Sequence, residues 1–232
     1  MDKSDSKLKV EVWSDIMCPF CYIGKRHWEA ALSQFGRSSE IELEWHSFQL
    51  DPTIPVNSGK QQNVFEYLAE RKGISFEQSM KMHESVLQMA RKSGLEFNLD
   101  KAIVANSFNA HRLIQLAKSK GLGDEAEEQF FKAYFIEGKD LGNPKIVAEV
   151  GKSIGLPESE IKDALTSDDL AYAVNQDIQE AQSLGIRGVP FFIFNRKYAI
   201  SGAQPVEMFV QTLEKSWKEW KNVNPYSGMK VL

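Results

Sequence analysis

"WSDIMCPFCYIGKRHWEAAL", residues 13–32, carries both cysteines of a 232-residue chain, Cys18 and Cys21, with only Pro19 and Phe20 between them. Such a pair can staple a loop, hold a metal or exchange electrons. A staple across so short a segment removes little chain entropy, and two cysteines are too few for a disulfide framework. A structural zinc site needs four ligands, typically from a second Cys or His pair. The four histidines, His27, His46, His83 and His111, stand singly, without ligand spacing to one another. No metal site is expected, and redox chemistry remains.

The flanks of the pair supply what that chemistry needs. Lys7 to Ser14, "KLKVEVWS", alternates apolar and polar residues and reads as a strand. From Pro19 to about Phe35 apolar residues recur at helical spacing, and Gly36 stops the run. Pro19 suits the first helical position, where a missing N–H costs nothing. Cys18 is thereby placed at the helix N-terminus, among unpaired N–H groups and at the positive end of the dipole. A cysteine attacks as its thiolate, the form such a setting favours. Cys21 falls one turn in on the same face, where it can displace whatever Cys18 captures.

Further along, Ile41 to Leu50 reads as a second strand, and 51–59 as loop. Residues 61–184 change character: seven stretches with 3.6-residue periodicity follow one another, punctuated by Gly, Pro or Ser. Strands return at 191–195, "FFIFN", and 197–202, "KYAISG", with a tight turn at Asn195 and Arg196. An amphipathic helix from about Pro205 to Lys221 ends the ordered part. The order is βαβ, a helical block, then ββα. The fold class is therefore α/β, with discontinuous segments 1–60 and 185–222 forming one domain. A large all-helical domain, 61–184, is inserted between its halves, and 223–232 is read as a loose tail.

Composition bounds the partners. The chain is 42% hydrophobic and 26% charged, with a net charge of -4 and its Lys and Arg scattered. No basic face suggests nucleic acid or an anionic membrane. The charged start lacks a secretory h-region, and no apolar run approaches the ~20 residues of a membrane span. A soluble, cytoplasmic protein is expected, as a monomer or homodimer.

"SDIMCPFCYIGK", taken with "GVP" at 188–190 just before "FFIFN", resembles the DsbA-like branch of the thioredoxin superfamily, and within it the FrnE-type dithiol-disulfide oxidoreductases. The likeness extends to "NSFNAHRLIQLAKSKG" (106–121) and "FFKAYFIEGKDLGNPKIVAEVGKSIGL" (130–156). It implies a thioredoxin fold interrupted by a helical domain. It also implies Cys18 as attacking thiolate, Cys21 as resolving thiol and Pro190 as a cis proline facing them. A fixed loop there would expose the backbone of Val189 to an extended substrate. Pro19 and Phe20, between the cysteines, are further candidates for substrate contact, and His111 and Arg112 are candidates for the groove. Partners implied are a protein or small-molecule disulfide and a cellular thiol reductant or oxidant. No cofactor is required beyond the cysteine pair, with glutathione possible as co-substrate.

Two positions depart from the family's pattern. Val12 stands where thioredoxins and DsbA keep a buried acid in the first strand, and Glu11 points to the opposite face. Asp15 can reach Cys21 only through water, and a loop role fits it better. Phe20 replaces the histidine of DsbA and cannot support a thiolate by charge, so a pair less oxidising than DsbA's is expected, near the cytosolic poise of about -220 to -320 mV. Other residues have plainer readings. Trp13 is either a substrate contact or buried sheet, and Asn106 or Ser107 a helix cap. Met80, Met82 and Met89 are assigned to helix packing. The run Asp124, Glu125, Glu127 and Glu128 is assigned to favourable dipole placement.

The leading function is thiol–disulfide exchange through Cys18. The alternative is a glutathione-dependent transferase or isomerase of the kappa glutathione transferase or 2-hydroxychromene-2-carboxylate isomerase type, which shares the architecture. A second cysteine in register argues against it. A peptide-holding chaperone without redox chemistry is the third reading.

Overall fold

Strand β1 (Leu8–Ser14) runs through the middle of a four-stranded sheet of order β2-β1-β3-β4. β2 (Ile41–Ser47) lies parallel to β1, with Leu8 opposite Ile41 and Ser14 opposite Ser47. β3 (Phe191–Phe194) and β4 (Tyr198–Ser201) complete the sheet antiparallel. The computed structural model describes residues 7–56 and 62–223.

The parallel β1–β2 pair needs a crossover, and α1 (Pro19–Phe35) supplies it. Gly36 closes that helix in the left-handed conformation, φ 69°, its N–H donating to the Leu32 carbonyl. α1 and α9 (Val206–Val223) cover one face of the sheet. There Val10 and Val12 meet Trp28, Phe192, Phe194 and Phe209 in one buried cluster. On the other face Trp13 stacks on His46 at 4.4 Å and donates its indole N–H to the Asp177 carbonyl at 3.0 Å.

Between β2 and β3, seven α-helices follow with no β-strand among the described residues: α2 (Val64–Lys72), α3 (Phe76–Lys92), α4 (Phe108–Ser119), α5 (Gly123–Phe131), α6 (Pro144–Ser153), α7 (Glu158–Ala164) and α8 (Asp168–Ser183). Four of the seven starts carry side-chain caps. Asn63, Asn143 and Ser167 accept backbone N–H groups, and Ser75 with Gln78 forms a reciprocal capping box. α5 runs on into a π turn, Lys132–Ile136.

The apolar core of these helices is continuous with the start of α1. Cys18, Cys21, Tyr22 and Ile23 are buried in the same cluster as Phe130, Phe131, Tyr134 and Phe135. Tyr22 stacks on Phe131 at 4.9 Å. The cysteine pair thus lies at the seam between sheet and helices.

The order of elements agrees with the pattern read from the sequence. β2 stops at Ser47 rather than Leu50, because the Leu50 N–H turns away to the Asp15 carboxylate at 2.8 Å. Asn195 and Arg196 hold positive φ, 50° and 54°, as a tight hairpin turn requires. Of the expected 223–232 tail, Val223 ends α9 and the remainder lies outside the described residues. Among those described, no helix is long and apolar enough to cross a membrane.

Candidate active site

Cys18 is the N-cap of α1, with extended backbone (φ -95°, ψ 113°) and Pro19 at the first helical position. Its N–H donates to the Asp15 carbonyl at 2.9 Å, and its own carbonyl receives the Cys21 N–H at 3.0 Å. The first turn, Pro19–Tyr22, carries no acidic side chain, so no carboxylate of its own competes for the positive end of the helix.

The loop before β3 closes over the sulfur. Cys18 Sγ donates to the Val189 carbonyl at 3.4 Å. The Val189–Pro190 peptide bond is cis. Pro190 is buried, and its carbonyl accepts the Gly202 N–H at 2.8 Å. Gly24 permits this approach: a Cβ there would lie 2.9 Å from Pro190 Cγ.

Cys21 is fully buried, one turn deeper, in contact with the Cys18 thiol, the Ser14 hydroxyl and the Asp15 backbone. Burial, and then the neighbouring Cys18, push its thiol well above the ordinary cysteine range. Cys21 therefore rests protonated at neutral pH. Both cysteines are free.

A cavity of about 490 Å³ opens beside Cys18. Pro19, Phe20 and Val189 line it with Cys18, and Met82 and Met89 of α3 contribute to its wall. Of the chain's two sulfhydryls, Cys18 lines the cavity and Cys21 does not. Phe20 is 37% exposed, which leaves an aromatic face free at the entrance.

The expected groove residues His111 and Arg112 lie elsewhere. His111 is fully buried, because it shares the inward face of α4 with Ala110 and Ile114. Its Nε2 stands 3.6 Å from Asp15 Oδ1. Arg112 reaches the Leu165 carbonyl and covers the Phe108 ring at 5.2 Å, so it packs helices together. The methionines correct the sequence reading in the other direction. Met80, Met82 and Met89 remain exposed by 37–44%, and Met82 and Met89 face the cavity rather than a helix neighbour. Trp13 is buried sheet.

The model of the DSBA-like thioredoxin domain matches residues 9–214. The chain belongs to this family. Among solved structures it is similar to a probable DsbA oxidoreductase from Streptomyces coelicolor, with 34% identity, a TM-score of 0.86 and 91% of each chain covered. It also resembles the cytosolic disulfide reductase DsbM of Pseudomonas aeruginosa, at 19% identity and a TM-score of 0.64, covering 91% of this chain and all of that one. That likeness speaks for the fold alone. A curated relative, YwbO of Bacillus subtilis (strain 168), is 26% identical over 218 residues, 90% of this chain and 98% of its own.

In this DsbA-like chain the acids near the cysteines divide into three groups. Glu11 lies on the far face of β1 as expected, bound to Arg196 and 3.5 Å from His46. Asp15 serves the loop: its carboxylate accepts the N–H groups of Met17 and Leu50 at 3.2 and 2.8 Å. Glu127, assigned to dipole placement, lies instead beyond the first turn of α5, fully buried, and accepts the Ser14 hydroxyl at 3.2 Å. Burial raises its carboxyl to about 7, against the opposing pull of His111, Ser14 and Lys25. A signal for it was present. Ala126, Phe130, Phe131 and Tyr134 form a helical apolar stripe, and Glu127 falls within it.

Asp124 and Glu125 stand exposed in the first turn of α5, as dipole placement requires, and the run also reaches α1. Lys25, itself buried, pairs with Asp124 and Glu128 at 3.3 Å. Tyr22 and Arg26 bind Glu128 as well, which docks α5 onto the cysteine helix.

Glu11, Glu44 and His46 bring ligand atoms within 4.8 Å of one another, the one such group among the described residues. Arg196 on Glu11, and Lys9 and Lys118 on Glu44, already supply positive charge there, so the cluster makes no case for a metal ion.

Proposed function

We propose that this DsbA-family chain is a thiol–disulfide oxidoreductase working through Cys18 and Cys21 on protein disulfides. The observation that carries the reading is the asymmetry of the pair: one sulfur in a cavity wall, the other fully buried in contact with it. Cys18 thiolate attacks a substrate S–S bond and forms a mixed disulfide, expelling one substrate sulfur as thiolate. Cys21 then loses its proton and attacks Cys18 Sγ. The Cys18–Cys21 bond forms, the Cys18–substrate bond breaks, and the electron pair leaves with the second substrate sulfur. The cysteines are oxidised and the substrate is reduced. A cellular thiol restores the pair. A cytosolic setting, as for DsbM, suits this direction of flow.

The Val189 backbone beside Cys18 suits an extended peptide docking as an added strand. The largely apolar cavity favours substrates with an apolar residue next to the cysteine. An isomerase would leave the buried second sulfur without a task.

The test is covalent capture. Cys21→Ser, incubated with oxidised insulin, is expected to hold one substrate chain per molecule through Cys18, released by dithiothreitol. Absence of that adduct overturns the reading.

A further inference from the structure

The cavity beside Cys18 is larger than an extended peptide requires. A strand paired along the Val189 backbone would lie across a shallow surface. The cavity instead encloses about 490 Å³ and reaches from the Met17–Phe20 turn, past α2 and α3, to the π turn after α5. That volume falls in the range of sites for compact small molecules. Its inner wall is buried and largely apolar, with Leu99, Tyr134 and Phe135, while Phe20, Met82 and Met89 stand at the exposed rim.

The polar side chains of the wall are engaged, with one buried exception. Asp15 accepts the Met17 and Leu50 N–H groups, and Ser107 accepts the Gln49 amide at 3.5 Å. Asp51 accepts from Thr53, Tyr67 and Arg71. His83 Nδ1 binds the Ser79 carbonyl at 2.8 Å, and burial lowers its pKa, so the ring is neutral at pH 7. Lys72 is exposed at the C-terminal end of α2. The exception is Tyr134. Its side chain is only 1% exposed, yet among the described residues its hydroxyl has no hydrogen-bond partner. Burial pushes the phenol far above the ordinary tyrosine range, so the hydroxyl keeps its proton and can donate it. A buried hydroxyl left unpaired is unfavourable, and a bound acceptor would relieve it.

We propose that the cavity takes a second substrate class, a small apolar disulfide carrying an uncharged carbonyl oxygen that accepts the Tyr134 hydroxyl. The inference rests on the dithiol reading above. An inner cation would find both aspartates already paired, and an inner anion only a neutral imidazole and a neutral phenol. An uncharged acceptor is what the wall fits. Cys18 thiolate attacks one ligand sulfur, a Cys18–ligand disulfide forms, the ligand S–S bond breaks and one ligand thiolate leaves. Cys21 then gives its proton to solvent and attacks Cys18 Sγ. The Cys18–Cys21 bond forms and the second ligand thiolate departs. The ligand gains two electrons, the cysteine pair loses them, and the released thiolates take protons from water. The same cellular thiol restores the pair. Tyr134 is a binding group and takes no part in the bond exchange.

The test is single turnover of reduced protein, without dithiothreitol, against two aromatic disulfides of matched shape. Bis(4-acetylphenyl) disulfide carries the carbonyl, and bis(4-isopropylphenyl) disulfide has a methyl group in place of its oxygen. Comparing the wild type with Tyr134→Phe for each probe cancels their unequal intrinsic reactivity. The acetyl probe is expected to react about tenfold more slowly in Tyr134→Phe, the size of one neutral hydrogen bond. The isopropyl probe is expected to stay within about twofold of its wild-type rate. Because the hydroxyl lacks an internal partner, the urea midpoint of Tyr134→Phe is expected to match or exceed that of the wild type. Equal losses for both probes, no loss for either, or a lowered urea midpoint overturns the inference. Insulin reduction that survives Cys18→Ser would sink the dithiol reading instead.

Discussion

Cys18→Ser is expected to lower insulin reduction to the rate of dithiothreitol alone, a loss of about 10³-fold or more relative to the wild type, as removal of a covalent nucleophile does elsewhere. The size follows from the division of labour between the sulfurs. Cys18 is the one thiol that lines the cavity, and a serine hydroxyl is not ionised at neutral pH. Cys21 cannot take over, because it is fully buried and its burial holds the proton on. The substitution exchanges one atom of similar size at an N-cap, where serine is itself a favoured residue, so the fold is expected to persist. An unchanged circular dichroism spectrum shows that activity and not folding was lost. Retention of a tenth of the wild-type rate would contradict the assignment.

Glu127→Gln is expected to stabilise the protein, and by an amount that depends on pH. A carboxyl held near 7 when folded, against 4.5 when exposed, opposes folding once it must ionise inside the protein. The folded state binds the proton more tightly than the unfolded state. The contribution therefore turns against folding as pH rises from 4.5, and is complete above 7. Neutral glutamine removes it while keeping an acceptor for Ser14. The gain is roughly 3 kcal/mol at pH 8 and roughly 1 kcal/mol at pH 5. Urea unfolding at the two pH values measures both. Equal gains, or a loss at pH 8, would show that Glu127 is not a strained acid.

Much of this arrangement was legible in the sequence, and for identifiable reasons. A strand, a Cys–Pro step and a helical period place Cys18 at an N-cap with local information alone. The two-residue hairpin turn at Asn195 and Arg196 is equally local. The long helical run between β2 and β3 follows from periodicity and caps. Side-chain direction on the inserted helices was less legible, because it depends on which face meets α1. His111 and Arg112 looked like groove residues by their polarity, but α4 turns His111 inward and Arg112 toward the Leu165 carbonyl. Met82 and Met89 looked like packing by their apolar character, yet they face a cavity made by distant segments. Glu127 was hidden by its acidic neighbours: Asp124 and Glu128 reach Lys25, while Glu127 itself points into the core.

Limited alkylation tests the unequal reach of the two sulfurs directly. Reduced protein treated with a small excess of iodoacetamide at pH 7, digested and mapped by mass spectrometry, should carry the label on Cys18 while Cys21 stays unmodified until the chain is unfolded. Label on Cys21 first, or on both at comparable rates in the folded protein, would contradict a cavity-lining attacker with a fully buried partner beneath it.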